Sequence, residues 1–332
     1  MKTPLSILEL VRVKQGPPPN DQAPKEALEH ARALAVHAEK LGYNRVWVAE
    51  HHNFSGIASA ATSLVIGYIA EATKTIRVGA GGIMLPNHAP YVIAEQFGTL
   101  AQLYPGRIDL GLGRAPGTDQ PTLQALRRTP SASEHFPQDV LELQSYFSDY
   151  AANERVQAVP APGTKVPLWI LGSSTFGASL AAELGLPYSF ASHFAPDQLL
   201  QALDVYRRNF KPSKQLARPY AMVGVNVIAA DTDEEARVLA TTQQMSFANI
   251  LRGARTLSQP PIPNIDAYWT SREKMHAQHM LSRSIVGSLE TVQKGLRALV
   301  SETAADELII VSDVYDNTAR FKSLELIAEA AT

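Results

Sequence analysis

Eight short apolar runs rich in β-branched and aromatic residues alternate with segments whose apolar positions recur at helical spacing, and this alternation constrains the fold more than any single residue does. The expected strands are Leu5 to Val11, Arg45 to Ala49, Ile76 to Gly79 and Ile108 to Gly111, then runs opening at Leu168, Tyr188, Tyr220 and Glu307. The expected helices are Lys25 to Leu41, Ala58 to Ala72, Tyr91 to Leu103, Ser133 to Tyr150, Thr175 to Leu184, Asp197 to Asn209, Asp233 to Leu251 and Leu289 to Val300. Near-continuous apolar strands followed by crossover helices are parallel and covered on both sides. Eight of them favour an α/β architecture closed into a (β/α)8 TIM barrel, with an open doubly wound sheet as the alternative. The chain, 332 residues and 45% hydrophobic, has material for one such domain over residues 1–332. A polar, proline-bearing stretch at about 252–287 interrupts the pattern before the last strand. It reads as a lid whose Tyr268, Trp269 and Met275 cover an apolar pocket, or plainly as a tolerated surface insertion.

Charge and composition narrow the partners. A net charge of -2 leaves no basic stripe for nucleic acid or an anionic membrane, so a small-molecule substrate is expected. The absence of cysteine removes thiolate nucleophiles, disulfides and cysteine-based metal centres, and redox chemistry would have to come from a cofactor. The opening MKTPLSILELVRV reads as the start of a cytoplasmic chain, and no apolar run approaches the roughly 20 residues that span a bilayer.

In a barrel of this kind chemistry sits at the C-terminal ends of the strands, which directs attention to the loops there. Strand two ends in Glu50-His51-His52. Because neighbours alternate in direction, at most one histidine faces the mouth, and His51 is chosen for chemistry because an unperturbed imidazole titrates near neutrality. Glu50 and His52 could instead simply bond neighbouring loops. Strand three ends near Gly79, Gly81 and Gly82; no helix follows at once, so these glycines suit close approach by a flat ligand rather than a phosphate loop. DLGLGRAPG imitates a dinucleotide fingerprint, but its third glycine, Gly117, comes one place late, and the better clue is Arg114, a fixed cation whose fork matches phosphate oxygens. Gly172, Ser173 and Ser174 lie between a strand and a helix, as an anion site or an ordinary N-cap. His193 follows strand six.

Taken together, VWVAEHH, RVGAGGIMLPNHAPYVIAEQFGTLAQLYPGRIDLGLGRAPG and LWILGSSTFGASLAAELGLP resemble the bacterial luciferase-like family of flavin-dependent monooxygenases, over nearly the whole chain. The resemblance implies a (β/α)8 barrel binding reduced FMN at the strand ends. His51, beside Glu50, matches the active-site histidine; Gly81 and Gly82 match a pair joined by a cis peptide under the flavin ring. Arg114 matches a phosphate-binding arginine, and Ser173 and Ser174 fall on the phosphate-binding turn. Gly113 stands where the light-emitting enzyme's large subunit has a reactive cysteine, Ser173 replaces an acidic residue and Gly177 a threonine, so aldehyde oxidation and light emission are not implied. Some relatives use a deazaflavin coenzyme instead. A homodimer through the second helix is also implied.

The expected activity is therefore that of a two-component monooxygenase: a separate flavin reductase supplies reduced FMN, and O2 is used to oxygenate a small organic substrate. No metal is assigned in this reading. The alternatives are a metal-dependent barrel hydrolase using His51, His52, His88 and His193 with Glu50 or Asp313, and a non-catalytic flavin-binding protein of the same fold.

Overall fold

A computed structural model describes residues 3–17, 20–116, 118–149 and 155–332; Gly117 and the expected helix end at Tyr150 lie outside the described residues. In chain order the elements are β1 (Leu5–Glu9), α1 (Ala23–Lys40), β2 (Arg45–Val48), α2 (Thr62–Ala72), β3 (Arg77–Met84), α3 (Pro90–Leu103), β4 (Ile108–Gly113), α4 (Gln120–Ala125) and α5 (Phe136–Phe147). They continue with β5 (Leu168–Gly172), α6 (Thr175–Leu184), β6 (Tyr188–Phe190), α7 (Leu199–Asn209), β7 (Ala221–Ala229) and α8 (Asp233–Leu251). The last are α9 (Ser271–Met280), β8 (Ile285–Gly287), α10 (Leu289–Thr303), β9 (Glu307–Val311) and α11 (Asn317–Ala330).

Every strand pairing is parallel. The run β1 to β6 is sequential, β6 pairs β7, β7 pairs β9, and β9 returns to β1, which closes an eight-stranded barrel. Parallel strands demand cover on both faces, and two apolar layers supply it. Outward-facing Ile7, Val46, Val48, Val78 and Leu110 pack on the helical ring, while Leu8, Trp47, Trp169, Met222, Ile309 and Val311 fill the barrel's interior. The register fixes which side chains reach the mouth: β2 and β3 align Trp47 with Gly79 and Val48 with Ala80, so the residues just beyond Val48 lie beside the glycine-rich end of β3.

Some elements differ from the sequence expectation. The third strand does not stop at Gly79 but runs through the glycines to Met84, with a register shift between Ala80 and Ile83. The 252–287 stretch is largely organised: it holds a 3-10 turn at Ile265–Ala267, α9, and the ninth strand, β8. β8 is no part of the closed barrel. The nine residues of β7 outreach its partner β9, and the surplus Val227, Ile228 and Ala229 pair with Ile285, Val286 and Gly287. Within this insertion Trp269 is buried against Phe247, Ala248 and Ala277, but Met275 is 69% exposed and covers no pocket. α4, α9 and α11 were also not anticipated. None of the described helices is long and apolar enough to cross a membrane.

Candidate active site

The chain between β2 and α2 brings Glu50, His51 and His52 to the mouth, and backbone alternation sends them two ways. Glu50 and His52 turn together: His52 Nε2 lies 2.6 Å from Glu50 Oε1, and His88 Nε2, from the turn after β3, lies 2.9 Å from the same oxygen. Asn87 Nδ2 donates to Oε1 at 3.3 Å, and the Met84 N–H donates to Oε2 at 3.0 Å. Glu50 is fully buried, and burial alone would raise its carboxyl; the bonds from His52, His88 and Met84 outweigh that and hold it at about 2. It is an ionised hub tying β2 to the end of β3.

His51 points elsewhere. Burial, helped by the positive charge of Arg12, lowers its imidazole to about 4, so at neutral pH it is an uncharged ring rather than the near-neutral titrating group the sequence suggested. Arg12 is itself bound to Asp313 at 2.8 Å, which removes that carboxylate from any metal set. His193, after β6, is likewise lowered to about 4 by burial and then by the nearby charge of His51, so the two rings belong to one neighbourhood. Its Nδ1 is buried with no hydrogen-bond partner, an open valence facing the strand glycine Gly224, where a Cβ would come within 2.5 Å of that nitrogen.

At the end of β3 the Gly81–Gly82 peptide is cis. Neither glycine has room for a side chain: a Cβ on Gly81 would lie 2.7 Å from Leu8 Cδ1 and 2.9 Å from Trp47 Cβ, and one on Gly82 would lie 2.7 Å from the Gly111 carbonyl oxygen. Packing inside the barrel therefore already requires glycine here.

Arg114 and the serine turn converge. The Arg114 guanidinium lies 3.9 Å from the ring centre of Phe176, the second residue of α6, and has no acidic partner among the described residues. Ser174 is the N-cap of α6, yet its hydroxyl makes no bond to its own helix; Tyr188 holds the turn by donating its hydroxyl to the Ser174 carbonyl at 3.0 Å, and Gln198 accepts the Thr175 N–H at 3.2 Å. Gly172 and Gly177 approach closely there, a Cβ on either lying 3.5 Å from the other's Cα. A free fork-shaped cation, an uncommitted hydroxyl and a helix N-terminus form a donor set that suits a phosphate group.

Other residues of the mouth were not visible in the sequence, because each acts through a partner distant in the chain. Asn226 of β7 donates to the His193 carbonyl, and its Oδ1 accepts from Gln243 Nε2 at 2.8 Å. Arg255 crosses the mouth to pair with Asp119 at 2.9 Å and donate to the Asn53 carbonyl at 2.6 Å. That strap ties the insertion to the loops after β2 and β4.

A parallel barrel whose strand ends gather two neutral histidines, a tight glycine pair and, among the described residues, a cation without an acidic partner beside a helix N-terminus is a TIM barrel, a fold whose binding sites lie at the C-terminal mouth. The pattern of the luciferase-like monooxygenase family matches residues 8–307, and the chain belongs to that family. It is 53% identical over 322 residues, covering 97% of this chain and 95% of the relative, to a luciferase-like monooxygenase of Escherichia coli (strain K12). It is 30% identical over 334 residues, covering 98% of this chain and 97% of the relative, to the N-acetyl-S-alkylcysteine monooxygenase of Bacillus subtilis (strain 168). The crystal structure of apo-MsnO8 superposes with a TM-score of 0.91 at 34% identity, covering 99% of this chain and 98% of that one.

Proposed function

We propose that this protein is a flavin-dependent monooxygenase that takes reduced FMN from a separate reductase and uses O2 to oxygenate a small organic substrate. The observation that carries the reading is Arg114, a guanidinium without an acidic partner among the described residues, stacked on Phe176 beside the open hydroxyl of Ser174. When bound, reduced flavin supplies the electrons that activate O2. The chain's own residues do the rest. Arg114, Ser173 and Ser174 hold the phosphate; the backbone at Gly81 and Gly82 lies where a flat ring can approach. His51, uncharged at neutral pH, offers one ring N–H and one lone pair to the reacting oxygen, with His193 close enough for a charge on His51 to be felt there. The Arg255 strap and the apolar walls exclude water.

Of the residues in the hydrolase reading Glu50, His52 and His88 converge, but Asp313 is held by Arg12 and His51 and His193 stand apart from the Glu50 hub, so the full set does not assemble. Single-turnover mixing of the protein and FMNH2 with 18O2, across a panel that includes S-alkylated cysteine derivatives, is expected to place the label in product. Flavin oxidised at the rate of free FMNH2, with no labelled product, would refute oxygenation. Reaction with reduced deazaflavin but not FMNH2 would replace the cofactor.

A further inference from the structure

We propose that Glu50, His52 and His88 form a binding site for one divalent transition-metal ion of the Zn2+ type, set on the two residues that flank His51. A donor atom from each of the three lies within 4.8 Å of the others, and among the described residues no other group of three or more His, Asp or Glu side chains converges so. Both imidazoles aim Nε2 at one oxygen, Glu50 Oε1, at 2.6 and 2.9 Å. Metal–ligand bonds of 2.0–2.2 Å in a tetrahedral arrangement set donor atoms about 3.4 Å apart, so each imidazole nitrogen would draw back from Oε1 by about 0.5–0.8 Å to admit an ion.

The hydrogen bonding is crowded for a site meant to stay metal-free. A carboxylate oxygen has about two lone-pair directions. Oε1 faces three N–H groups, the third being Asn87 Nδ2 at 3.3 Å, while Oε2 receives one. An ion in place of the imidazole hydrogens relieves that excess, and the remaining bonds become its outer shell: Met84 N–H orients the carboxylate, and Asn87, also bonded to the Pro116 carbonyl at 2.8 Å, braces it. Access exists as well: the His52 and His88 side chains are 15% and 26% exposed, while the carboxylate is sealed beneath them. Two histidines and one carboxylate without thiolate select Zn2+, Co2+, Ni2+ or Fe2+ over Ca2+ or Mg2+, and leave a position open for water. An ion here would lock the end of β2 to the turn after β3 and fix the backbone that carries His51. This assignment is independent of the flavin reading and is tested without flavin.

The test is titration of the full-length, flavin-free protein with Zn2+ by calorimetry and with Co2+ by visible absorption. One ion per chain is expected, with a higher thermal midpoint when saturated. Because E50Q removes a fully buried hub and could misfold, H52Q and H88Q carry the test: each keeps an amide N–H for Glu50 but loses the imidazole ligand. Each is expected to weaken Zn2+ binding by more than about 100-fold, beyond the 10- to 100-fold typical of an outer-shell partner. H279A, at an exposed surface pair with Asp197, is expected to bind as the parent does. Binding weaker than about 1 mM in the parent, or affinity retained in both glutamine variants, would overturn the proposal.

Discussion

At the N-terminal end of the barrel buried charges neutralise one another, whereas at the C-terminal mouth a cation has no acidic partner, and a histidine nitrogen no hydrogen-bond partner, among the described residues. Below, Arg45 bonds Asp109 at 2.6 Å and Glu307 at 2.8 and 3.0 Å. Arg77 also binds Asp109, while Glu307 accepts from Ser6, Asn44 and Tyr220, and the Arg45 guanidinium lies 4.8 Å from the Trp169 ring centre. Above, among the described residues, Arg114 meets the aromatic face of Phe176 and no acid, His193 Nδ1 has no hydrogen-bond partner, and His51 is kept uncharged. Both ends are built from strand termini in one closed sheet. The difference teaches that the ionic network at the N-terminal end closes on itself, while the mouth, beside its own Glu50 hub and Arg12–Asp313 pair, keeps polar groups that the described residues leave unpaired.

The sharpest way to break this contrast is at the N-terminal network. Glu307→Ala leaves Arg45 short of a counter-charge and is expected to cost about 3–5 kcal/mol in urea unfolding; a loss under about 1 kcal/mol would show that the lower network is dispensable. At the mouth, His51→Ala is expected to lower turnover by about 100-fold or more while flavin affinity stays within about twofold. Equal losses of binding and rate would abolish that division of labour.

Acid should separate the ends next. His51 and His193 titrate near 6.5 when unfolded but at about 4 when folded, so below 6.5 the unfolded chain binds protons that the folded one refuses. Stability is therefore full above pH 6.5 and falls as the pH drops towards 4. Unfolding curves across that window are expected to flatten in a His51→Ala/His193→Ala double variant; an unchanged slope would contradict the neutral state of both rings. A smaller effect is expected from Arg114→Ala: FMN affinity, followed by flavin fluorescence, drops about 10- to 100-fold as charge-assisted bonds are lost, with unfolding free energy unchanged within about 0.5 kcal/mol. Phe176→Leu removes only the ring beneath the guanidinium and is expected to weaken binding by a few-fold.

The barrel was legible because its eight wall strands are unusually apolar and helical spacing recurs between them, and α6 and α8 match the expected ranges to the residue. The misses have physical causes. β8 is three residues whose only strand partner is the surplus end of β7, a pairing no local pattern announces. α11 hid because its buried face includes Arg320 and Ser323, so burial there does not follow hydrophobicity. α9 has few apolar residues, yet Thr270 and Glu273 form a capping box, a signal present in the sequence and passed over. The site was partly legible. Alternation predicts that His51 turns away from Glu50 and His52, and those two do bond each other, while Arg114 and the serine turn, named from the sequence, come together through Phe176. The joining of His88 to Glu50, and of Asn226 to His193, depends on contacts across 38 and 33 positions of sequence.

The uneven length of β7 has an architectural outcome. Its lower portion completes the cylinder with β9, and its upper portion offers a spare backbone edge to which β8 is grafted from outside. Material can thus be lengthened, shortened or exchanged beside the rim without unzipping a single rung of the closed wall.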